Sequence, residues 1–366
     1  MNNKTKCSLV WLRRDLRLYD HNALYQALKK STAVYCCFIF DTKILDNLSN
    51  KKDRRIDFIW HALSEIKINL NKLGSDLIVK IGDPVSAIPS LIEKYECGAL
   101  YVNKDYEQYA IERDKKISES LKKNKIEFNK YKDQVIYEDK EILTQSNSPY
   151  TIFTPYKNNY LKKIFNEGIS HYDCDSYMGN LAKFDSEAFP SIKEIGFEKS
   201  NLSSMTVPLG TKGGLDLIDN FKSRIKNYNT DRNFPGTKGV SYLSVHNRFG
   251  TVSIRHLAKI AINHSSEGAS TWLNELIWRD FYFQILSNFP HIQTGKSFKN
   301  KYNNLKFEND EEKFSAWKKG STGFPIVDAG MRQLNTTGYM HNRLRMIIAC
   351  FLVKDLLIDW RWGEKY

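Results

Sequence analysis

The chain has 366 residues, a formal net charge of +13 and a pI of about 9.2. This length exceeds what one core comfortably serves and favours two domains, and the charge favours a polyanionic partner, either nucleic acid or an acidic membrane surface. No apolar run is long enough to span a bilayer and the N-terminus lacks a signal-peptide pattern, so we predict a cytoplasmic protein. Its six cysteines show no metal-ligand or disulfide spacing, so we expect packed, reduced thiols and no metal site.

The first third of the chain alternates apolar and amphipathic runs. The apolar runs that predict strands are SLVWL, AVYCCFIFD, DLIVKIGD, ALYVNKD and IEFNKYKDQVIY. The runs between them have helical spacing, and several open with Asp or Pro, as helix N-termini do. This alternation predicts a Rossmann-like, parallel, doubly wound sheet covered on both faces, and we assign residues 1–137 to this α/β domain.

Three arginines follow the first predicted strand, in WLRRDLR. The carboxyl ends of parallel strands form the edge at which such sheets bind ligands, although no G-x-G-x-x-G sequence accompanies them. Arg13, Arg14 and Arg17 could grip a phosphate or pair with neighbouring carboxylates, and we prefer the ion pairs.

Helical periodicity dominates the second half. Residues 138–214 have weak periodicity and are predicted to connect two domains. Residues 215–366 are predicted to form an all-α domain, with helices in the segments LDLIDNFKSRIKNY, SIRHLAKIAIN, STWLNELIWRDFYFQILS, VDAGMRQLNTT and HNRLRMIIACFLVKDLLIDWRW.

The stretch WLNELIWRDFYFQIL places Glu275, Arg279 and Asp280 among large apolar side chains. Glu275 and Arg279 could form an ordinary ion pair across one helical turn. A second polar group at the start of a helix, formed by His341, Asn342, Arg345 and Met346, favours a cavity for a polar ligand instead. The Gly- and hydroxyl-rich segment around Ser241 and Ser244 could wrap a phosphate, and an organic cofactor would then supply the chemistry.

Several of these motifs resemble the DNA photolyase and cryptochrome family, and within it the bacterial cyclobutane pyrimidine dimer photolyases. They are VWLRRDLRLYDHNAL, SYLS, WLNELIWRDFY, FPIVDAGMRQLNTTGYMHNRLRM and LVKDLLIDWRWGEKY. The resemblance implies an N-terminal α/β antenna domain and a C-terminal helical FAD-binding domain. It also implies a monomer whose partner is ultraviolet-damaged DNA, without a membrane.

The resemblance assigns roles to individual residues. Positions that resemble flavin-lining ones are Tyr228, Ser241, Tyr242, Leu243, Ser244, Trp272, Arg279 and Arg345. Positions that resemble DNA or dimer contacts are Arg232, Glu275, Trp278, Asn342, Arg343 and Met346. Glu275 and Trp360 resemble catalytic positions: Glu275 would hydrogen-bond a base edge, and Trp360 would belong to the tryptophan chain that photoreduces the flavin.

The implied activity is light-dependent repair, in which reduced FAD passes an electron to a dimer flipped out of the duplex. An antenna chromophore such as methenyltetrahydrofolate is the implied second cofactor, although Tyr109 and Ala110 stand where the folate pattern has Asn and Glu. Phe307 stands at the outer position of the tryptophan chain.

The chain stops at WRWGEKY, before a segment that carries further flavin contacts in the family, so we expect a C-terminally incomplete protein. Two alternatives stay open: a cryptochrome-like flavin blue-light sensor, and an inactive DNA-binding remnant. The residues that favour repair are Glu275, Trp278, Asn342 and Met346.

Overall fold

A computed structural model describes residues 5–205 and 207–366. The strands are β1 (Thr5–Leu12), β2 (Ser31–Asp41), β3 (Leu77–Gly82), β4 (Ala99–Asn103) and β5 (Glu127–Tyr131). The α-helices of the first 223 residues are α1 (Asn22–Lys30), α2 (Thr42–Leu45), α3 (Arg54–Lys72), α4 (Pro84–Lys94), α5 (Gln108–Lys123), α6 (Phe153–Glu167) and α7 (Gly210–Lys222). The later α-helices are α8 (Tyr228–Asp231), α9 (Ser244–Phe249), α10 (Ile254–Asn263), α11 (Glu267–Asn288), α12 (Glu311–Lys319), α13 (Pro325–Thr337), α14 (Asn342–Lys354) and α15 (Trp360–Lys365). Short 3-10 helices span Asp175–Asn180, Leu202–Ser204, Ile225–Asn227, Pro290–Thr294 and Asn300–Tyr302.

The five strands form one parallel sheet in the order β3-β2-β1-β4-β5. In the middle of the sheet, Val10 of β1 lies opposite Cys36 of β2 on one side and Tyr101 of β4 on the other. The strand order changes direction between β1 and β4, which makes the carboxyl ends of these strands a topological switch point. The predicted fold class, α/β followed by all-α, is confirmed.

The central strand β1 is apolar on both faces because both faces of the sheet are covered there. Along β1, Leu9 and Trp11 pack into one hydrophobic core, whereas Val10 and Leu12 pack into the core on the opposite face. Alternate residues of a strand point to opposite faces, so a doubly covered strand reads as a continuous apolar run rather than as an alternating one.

Helix starts follow the Asp and Pro signals in the sequence. Asp53 accepts a hydrogen bond from the backbone N–H of Arg55 at 2.8 Å and caps α3. Asp83 accepts one from Val85 at 3.0 Å and caps α4, whose first residue is Pro84. Such caps satisfy backbone donors that the first helical turn leaves without partners.

A buried ionic network joins the sheet to α10. Asp133 pairs with Arg17 at 2.6 Å and with Arg255 at 2.8 Å, and Arg255 also contacts Asp20 at 3.2 Å. Burial opposes ionisation of Asp133, but the two guanidinium groups hold its pKa well below the ordinary value. Removing one partner of such a pair would leave a buried charge without compensation. The network therefore favours the packing in which all of these partners meet.

By internal contacts the chain divides into two compact units. The first comprises the residues up to Ser223 with Ser241–Ser265 and Ala269–Asn288, and the second comprises Arg224–Val240, Ser266–Gly268 and Phe289–Tyr366. These units were defined by contacts and do not test the predicted domain limits of 1–137, 138–214 and 215–366, which remain predictions. In the second unit α12, α13, α14 and α15 pack around a core that contains Trp317, Val327, Met331, Leu344, Ile348 and Leu352.

Two predicted elements differ from the structure. The predicted connection contains the fifteen-residue helix α6. The prediction of a single long helix from 341 to 362 is wrong, because a non-helical segment separates α14 from α15. Leu357 takes a left-handed conformation with φ of 51°, and Asp359 caps α15 by accepting from the Arg361 N–H at 3.0 Å.

Among the residues that the structure describes, no helix combines the length and the apolarity needed to cross a bilayer.

Candidate functional site

Helix α11 carries four of the predicted site residues, as their spacing indicated. Trp272 is buried and packs edge-on against Phe221, with ring centroids 4.9 Å apart. Glu275, Trp278 and Arg279 follow within two turns, and all three are half-buried. Because residues seven apart share a helix face, Trp272 and Arg279 lie along one side of α11, while Trp278 lies on another.

The Arg279 side chain is positioned by hydrogen bonds to backbone carbonyl groups of the first unit. Its guanidinium donates to the carbonyl of Gln134 and, at 3.4 Å, to that of Asn247, and it lies 3.7 Å from the Asp280 carboxylate. Burial lowers the pKa of Arg279, against the attraction of Asp280. The side chain lines a small polar recess that Arg14 and Arg17 also line. Forked N–H donors facing such a recess suit an anionic group.

Asp280, the third charge of this stretch, has a structural role that the sequence did not reveal. Its carboxylate accepts hydrogen bonds from the backbone N–H groups of Ile136 and Tyr137 at 2.8 and 3.3 Å, and from the Tyr160 hydroxyl at 2.9 Å. Burial raises its pKa to about 6, although Arg279 and these donors favour the charged form. Asp280 therefore ties α11 to the segment after β5 and to α6.

Trp278 lies in an aromatic cluster. Its ring stacks on Phe153 with centroids 3.6 Å apart and planes 8° apart, and Tyr282 stacks less closely at 5.4 Å and 25°. Sequence reasoning missed Phe153 because the segment around it was predicted to be irregular. The signal was present: Tyr150, Phe153, Tyr156 and Tyr160 recur at intervals of three and four residues, which is typical of one face of a helix.

The segment from Ser241 to Ser244 leads into α9. Tyr242 takes a left-handed conformation with φ of 58°, and Leu243 is buried. Ser241 and Tyr242 are half-buried, and Ser244, the first residue of α9, is exposed. This turn places three hydroxyl groups close together in sequence at one end of α9.

The second unit contains four of the six predicted DNA contacts, Arg232, Asn342, Arg343 and Met346, whereas Glu275 and Trp278 lie in the first unit. Arg343 donates to the side-chain oxygen of Asn233 at 2.5 Å, and Asn233 directly follows Arg232, whose guanidinium lies over the Tyr228 ring at 5.2 Å. Tyr228 itself is buried.

The start of α14 has an exposed polar surface. The N-cap residue His341 accepts from the Arg343 N–H, and Asn342, Arg345 and Met346 are exposed. The Met346 sulfur lies 3.6 Å from the Arg343 guanidinium and 4.0 Å from the Asn342 amide nitrogen. Arg345 turns back to donate to the Met340 carbonyl at 3.1 Å.

Trp360, predicted to belong to the tryptophan chain, and Phe307, which stands at its outer position, lie in the second unit. Trp360 is the half-buried first residue of α15, with the Arg361 guanidinium 4.7 Å from its ring. Phe307 is half-buried in the segment before α12. Trp317 belongs to the hydrophobic core and donates to the Ile348 carbonyl at 3.2 Å.

At the carboxyl edge of the sheet, all three arginines pair with carboxylates, so the preferred interpretation is confirmed. The pairs are Arg13 with Asp114 at 2.8 Å, Arg14 with Glu107 at 2.6 Å and Arg17 with Asp133 at 2.6 Å. Burial opposes ionisation of Glu107, yet Arg14 and Arg248 lower its pKa to about 2. Nearby, the Tyr109 hydroxyl donates to Asp41 at 2.6 Å and Ala110 is buried, so both positions that depart from the folate pattern are engaged within the protein.

Comparison with known proteins identifies the lineage. Residues 8–170 match the DNA photolyase family, and residues 272–366 match the FAD binding domain of DNA photolyase. The deoxyribodipyrimidine photo-lyase of a Synechococcus strain is 33% identical over 372 residues, which cover 98% of this chain and 76% of that protein. The chain belongs to the DNA photolyase family.

Solved photolyase structures share this fold. The bacterial class III photolyase of Agrobacterium tumefaciens superposes with a TM-score of 0.86 at 28% identity, covering 100% of this chain and 76% of that one. The archaeal photolyase of Sulfolobus tokodaii, solved with two FAD molecules, superposes with a TM-score of 0.82 at 31% identity, covering 98% and 78%. The resemblance inferred from the sequence motifs is confirmed.

The side chains at the predicted flavin positions of this photolyase-family chain fit a dinucleotide in their chemistry. The hydroxyls of Ser241 and Ser244 can donate to phosphate or ribose oxygens, and the Arg279 guanidinium lines a polar recess and can donate to an anionic group. Trp272 and Leu243 supply buried apolar surface. The matched FAD-binding region begins at Trp272 and includes α11 and α14, whereas residues 228–244 lie outside both matched regions.

Proposed function

We propose that this protein repairs cyclobutane pyrimidine dimers in DNA in a light-dependent reaction that uses bound FAD. The observation that carries the proposal is the pair on α11: a carboxylate, Glu275, and an indole, Trp278, lie three residues apart and so are neighbours on the helix surface, within the region matched to the FAD-binding domain. The relatives named deoxyribodipyrimidine photo-lyase, similar over nearly the whole chain, support the same activity.

In this proposal Trp278 receives the extruded bases. Taking a dimer out of the duplex costs a few kcal/mol, and less than for an intact pair because the damaged bases already stack poorly. Stacking on an aromatic side chain contributes about 1–3 kcal/mol per base, which offsets much of this cost. Glu275 orients the bases by accepting a hydrogen bond from a base edge. The half-buried Arg232 and Arg343 and the exposed Asn342 and Met346 contact the DNA strand that carries the lesion.

FAD would be held by Tyr228, Trp272, Arg279, Arg345 and the segment Ser241–Ser244. When bound in its reduced form, FAD supplies the electron that opens the dimer under light. The buried apolar side chains of Trp272 and Leu243 exclude water beside it, so that the hydrogen bond that Glu275 accepts from the base acts in a medium of low polarity. Trp360 is the proposed internal electron donor for photoreduction.

An antenna chromophore is a further part of the proposal. The archaeal photolyase with two FAD molecules supports a second chromophore in this family. Methenyltetrahydrofolate remains a prediction for this chain. Tyr109, which stands where the folate pattern has another residue, donates a hydrogen bond to Asp41. Extraction of the purified protein followed by chromatography would identify the chromophore that is present.

The test is to purify the chain, record its absorption spectrum and illuminate it, after reduction, with an oligonucleotide that contains one thymine dimer. Flavin absorption together with loss of the dimer supports repair. Flavin absorption without repair would contradict the proposal and favour a light sensor, and a protein that takes up no FAD would favour a DNA-binding remnant.

Two variants separate the roles of the α11 pair. Trp278→Ala should weaken dark binding of the dimer about 5- to 150-fold, which corresponds to the loss of one stacked base. Glu275→Gln should lower the repair yield per absorbed photon more than it weakens binding, because it removes a carboxylate acceptor without removing volume. Equal effects of both variants on binding and on yield would contradict this division of roles.

A further inference from the structure

Phe153 stacks closely on Trp278 of α11, with the two rings nearly parallel. Aromatic pairs in proteins prefer centroid separations of about 4.5–7 Å in offset or edge-to-face geometry. Here the separation is 3.6 Å and the interplanar angle 8°. Phe153 therefore covers one face of the indole over most of its area.

Two further rings restrict the same indole. Phe281, which is buried, meets Trp278 edge-on at 5.6 Å and 83°, and it also meets Phe153 at 5.8 Å. Tyr282 stacks on Trp278 at 5.4 Å and is 62% exposed. With these three neighbouring rings Trp278 is half-buried, so part of its surface remains open.

Helix α6, which carries Phe153 as its first residue, is rigidly attached to α11. The Tyr160 hydroxyl donates to Asp280, and the Gln284 amide donates to the Tyr150 carbonyl at 2.7 Å just before α6. Tyr156 is buried and packs against Phe281 with centroids 5.2 Å apart. The position of the Phe153 ring is thus set by contacts on both sides of it along the chain.

We infer that Phe153 is a positioning residue that fixes the plane of the Trp278 indole, so that an extruded pyrimidine can stack on Trp278 from one side only. This inference rests on the proposed function, since it assigns the receiving surface of the same dimer site. A ring held in place in advance loses little conformational entropy when a base stacks on it, whereas an unsupported indole would have to be ordered by the DNA itself.

The test compares Phe153→Leu, which keeps apolar bulk without a ring, with Phe153→Tyr, which keeps the ring. Phe165→Leu is the matched control, because it makes the same change on the same helix at a side chain that is 65% exposed. Dark binding is measured by fluorescence anisotropy on oligonucleotides with and without one thymine dimer. Loss of one aromatic contact should weaken dimer binding about 3- to 10-fold in Phe153→Leu.

Affinity for undamaged DNA should stay at the wild-type value in all three variants, and dimer affinity should stay there in Phe153→Tyr and Phe165→Leu. Unchanged dimer selectivity in Phe153→Leu would overturn the inference. Tighter dimer binding would overturn it as well, because the ring would then compete with the base instead of supporting its platform.

A second measurement needs no DNA. Protein labelled with 5-fluorotryptophan gives a Trp278 fluorine resonance that Trp278→Phe identifies. Phe153→Leu should shift and broaden this resonance, while Phe153→Tyr and Phe165→Leu should leave it in place. An unchanged resonance in Phe153→Leu would contradict the inference. If the wild-type protein shows no preference for dimers, the proposed function fails, and the fluorine spectra decide the positioning role on their own.

Discussion

At the scale of single residues, Asp280 is a carboxylate whose ionisation the fold opposes. It is completely buried at the junction of α11 and α6, and its pKa is raised to about 6 by that burial. The buried Asp133 has the opposite behaviour, because Arg17 and Arg255 hold its pKa below the ordinary value. The two carboxylates therefore make contributions of opposite sign to the pH dependence of stability.

We predict that Asp280→Asn changes this pH dependence in a defined direction. Between about pH 4 and pH 6 the folded wild type holds a proton on Asp280 that the unfolded chain has lost, so Asp280 makes the wild type less stable as pH rises. The raised pKa corresponds to about 3 kcal/mol of this loss between pH 4 and pH 7. The stability deficit of Asp280→Asn relative to wild type should thus shrink by about that amount over the same interval, measured by urea denaturation.

Asp133→Asn is the control of opposite sign. The lowered pKa of Asp133 contributes stability that is present above its unfolded pKa and disappears as pH falls, so the deficit of this variant should grow from low pH to pH 7. Parallel pH profiles for the two variants would contradict the assigned protonation behaviour.

Sequence reasoning reached some of these residues and not others, for a physical reason. The shared helix of Trp272, Glu275, Trp278 and Arg279 follows from spacing alone, because helical periodicity is local. The partners of that helix are distant in sequence: Phe153 meets Trp278, and Ile136 meets Asp280. Such contacts depend on how elements pack, which a single sequence does not encode in any local pattern.

At the scale of elements, the end of α9 depends on Gly250. This residue caps the helix in a left-handed conformation with φ of 67°, and the adjacent Phe249 carbonyl accepts from the Leu16 N–H at 3.0 Å. A Cβ on Gly250 would lie 2.1 Å from the Arg14 carbonyl oxygen and 2.6 Å from the Asp15 Cα. These neighbours are backbone atoms, so they cannot move aside as a flexible side chain can.

We predict that Gly250→Ala lowers the free energy of unfolding by roughly 4 kcal/mol, because it combines left-handed strain with a backbone clash. Gly295→Ala is the matched control: Gly295 ends the 3-10 helix Pro290–Thr294 in the same left-handed region, with φ of 75° and ψ of 10°, and nothing lies within 4 Å of a Cβ built on it. That variant should lose only about 1–2 kcal/mol, the cost of the conformation alone. Similar losses in both variants, measured by urea denaturation, would refute the clash.

Elements with strong local signals were predicted well, and those set by tertiary contacts were not. The strands β1, β2 and β4 contain continuous apolar runs, and Asp53 and Asp83 mark in the sequence the starts of the helices that they cap. The interruption between α14 and α15 falls in the segment DLLID, which contains neither glycine nor proline to indicate the end of a helix. There the Glu308 N–H donates to the Leu357 carbonyl at 2.9 Å, and this contact from a distant segment accompanies the left-handed turn.

At the scale of the whole molecule, the excess of positive charge is the property that the proposed partner would meet first. Lysine and arginine number 55 against 42 aspartates and glutamates. Many cations are already neutralised within the fold, Arg13, Arg17 and Arg255 among them, so the net charge overstates what is available to DNA. The part that binds phosphate can be counted through its dependence on salt.

We predict that the affinity for dimer-containing DNA falls linearly on a log–log plot against salt concentration, with about −0.9 in the slope for each phosphate neutralised. Arg232→Gln and Arg343→Gln should each make the slope shallower by about 0.9, and should weaken binding to damaged and undamaged DNA alike. Trp278→Ala should instead weaken only dimer binding and keep the wild-type slope, because stacking releases no counterions. A slope near zero in the wild type, or an altered slope in Trp278→Ala, would show that charge and stacking are not divided between these residues in this way.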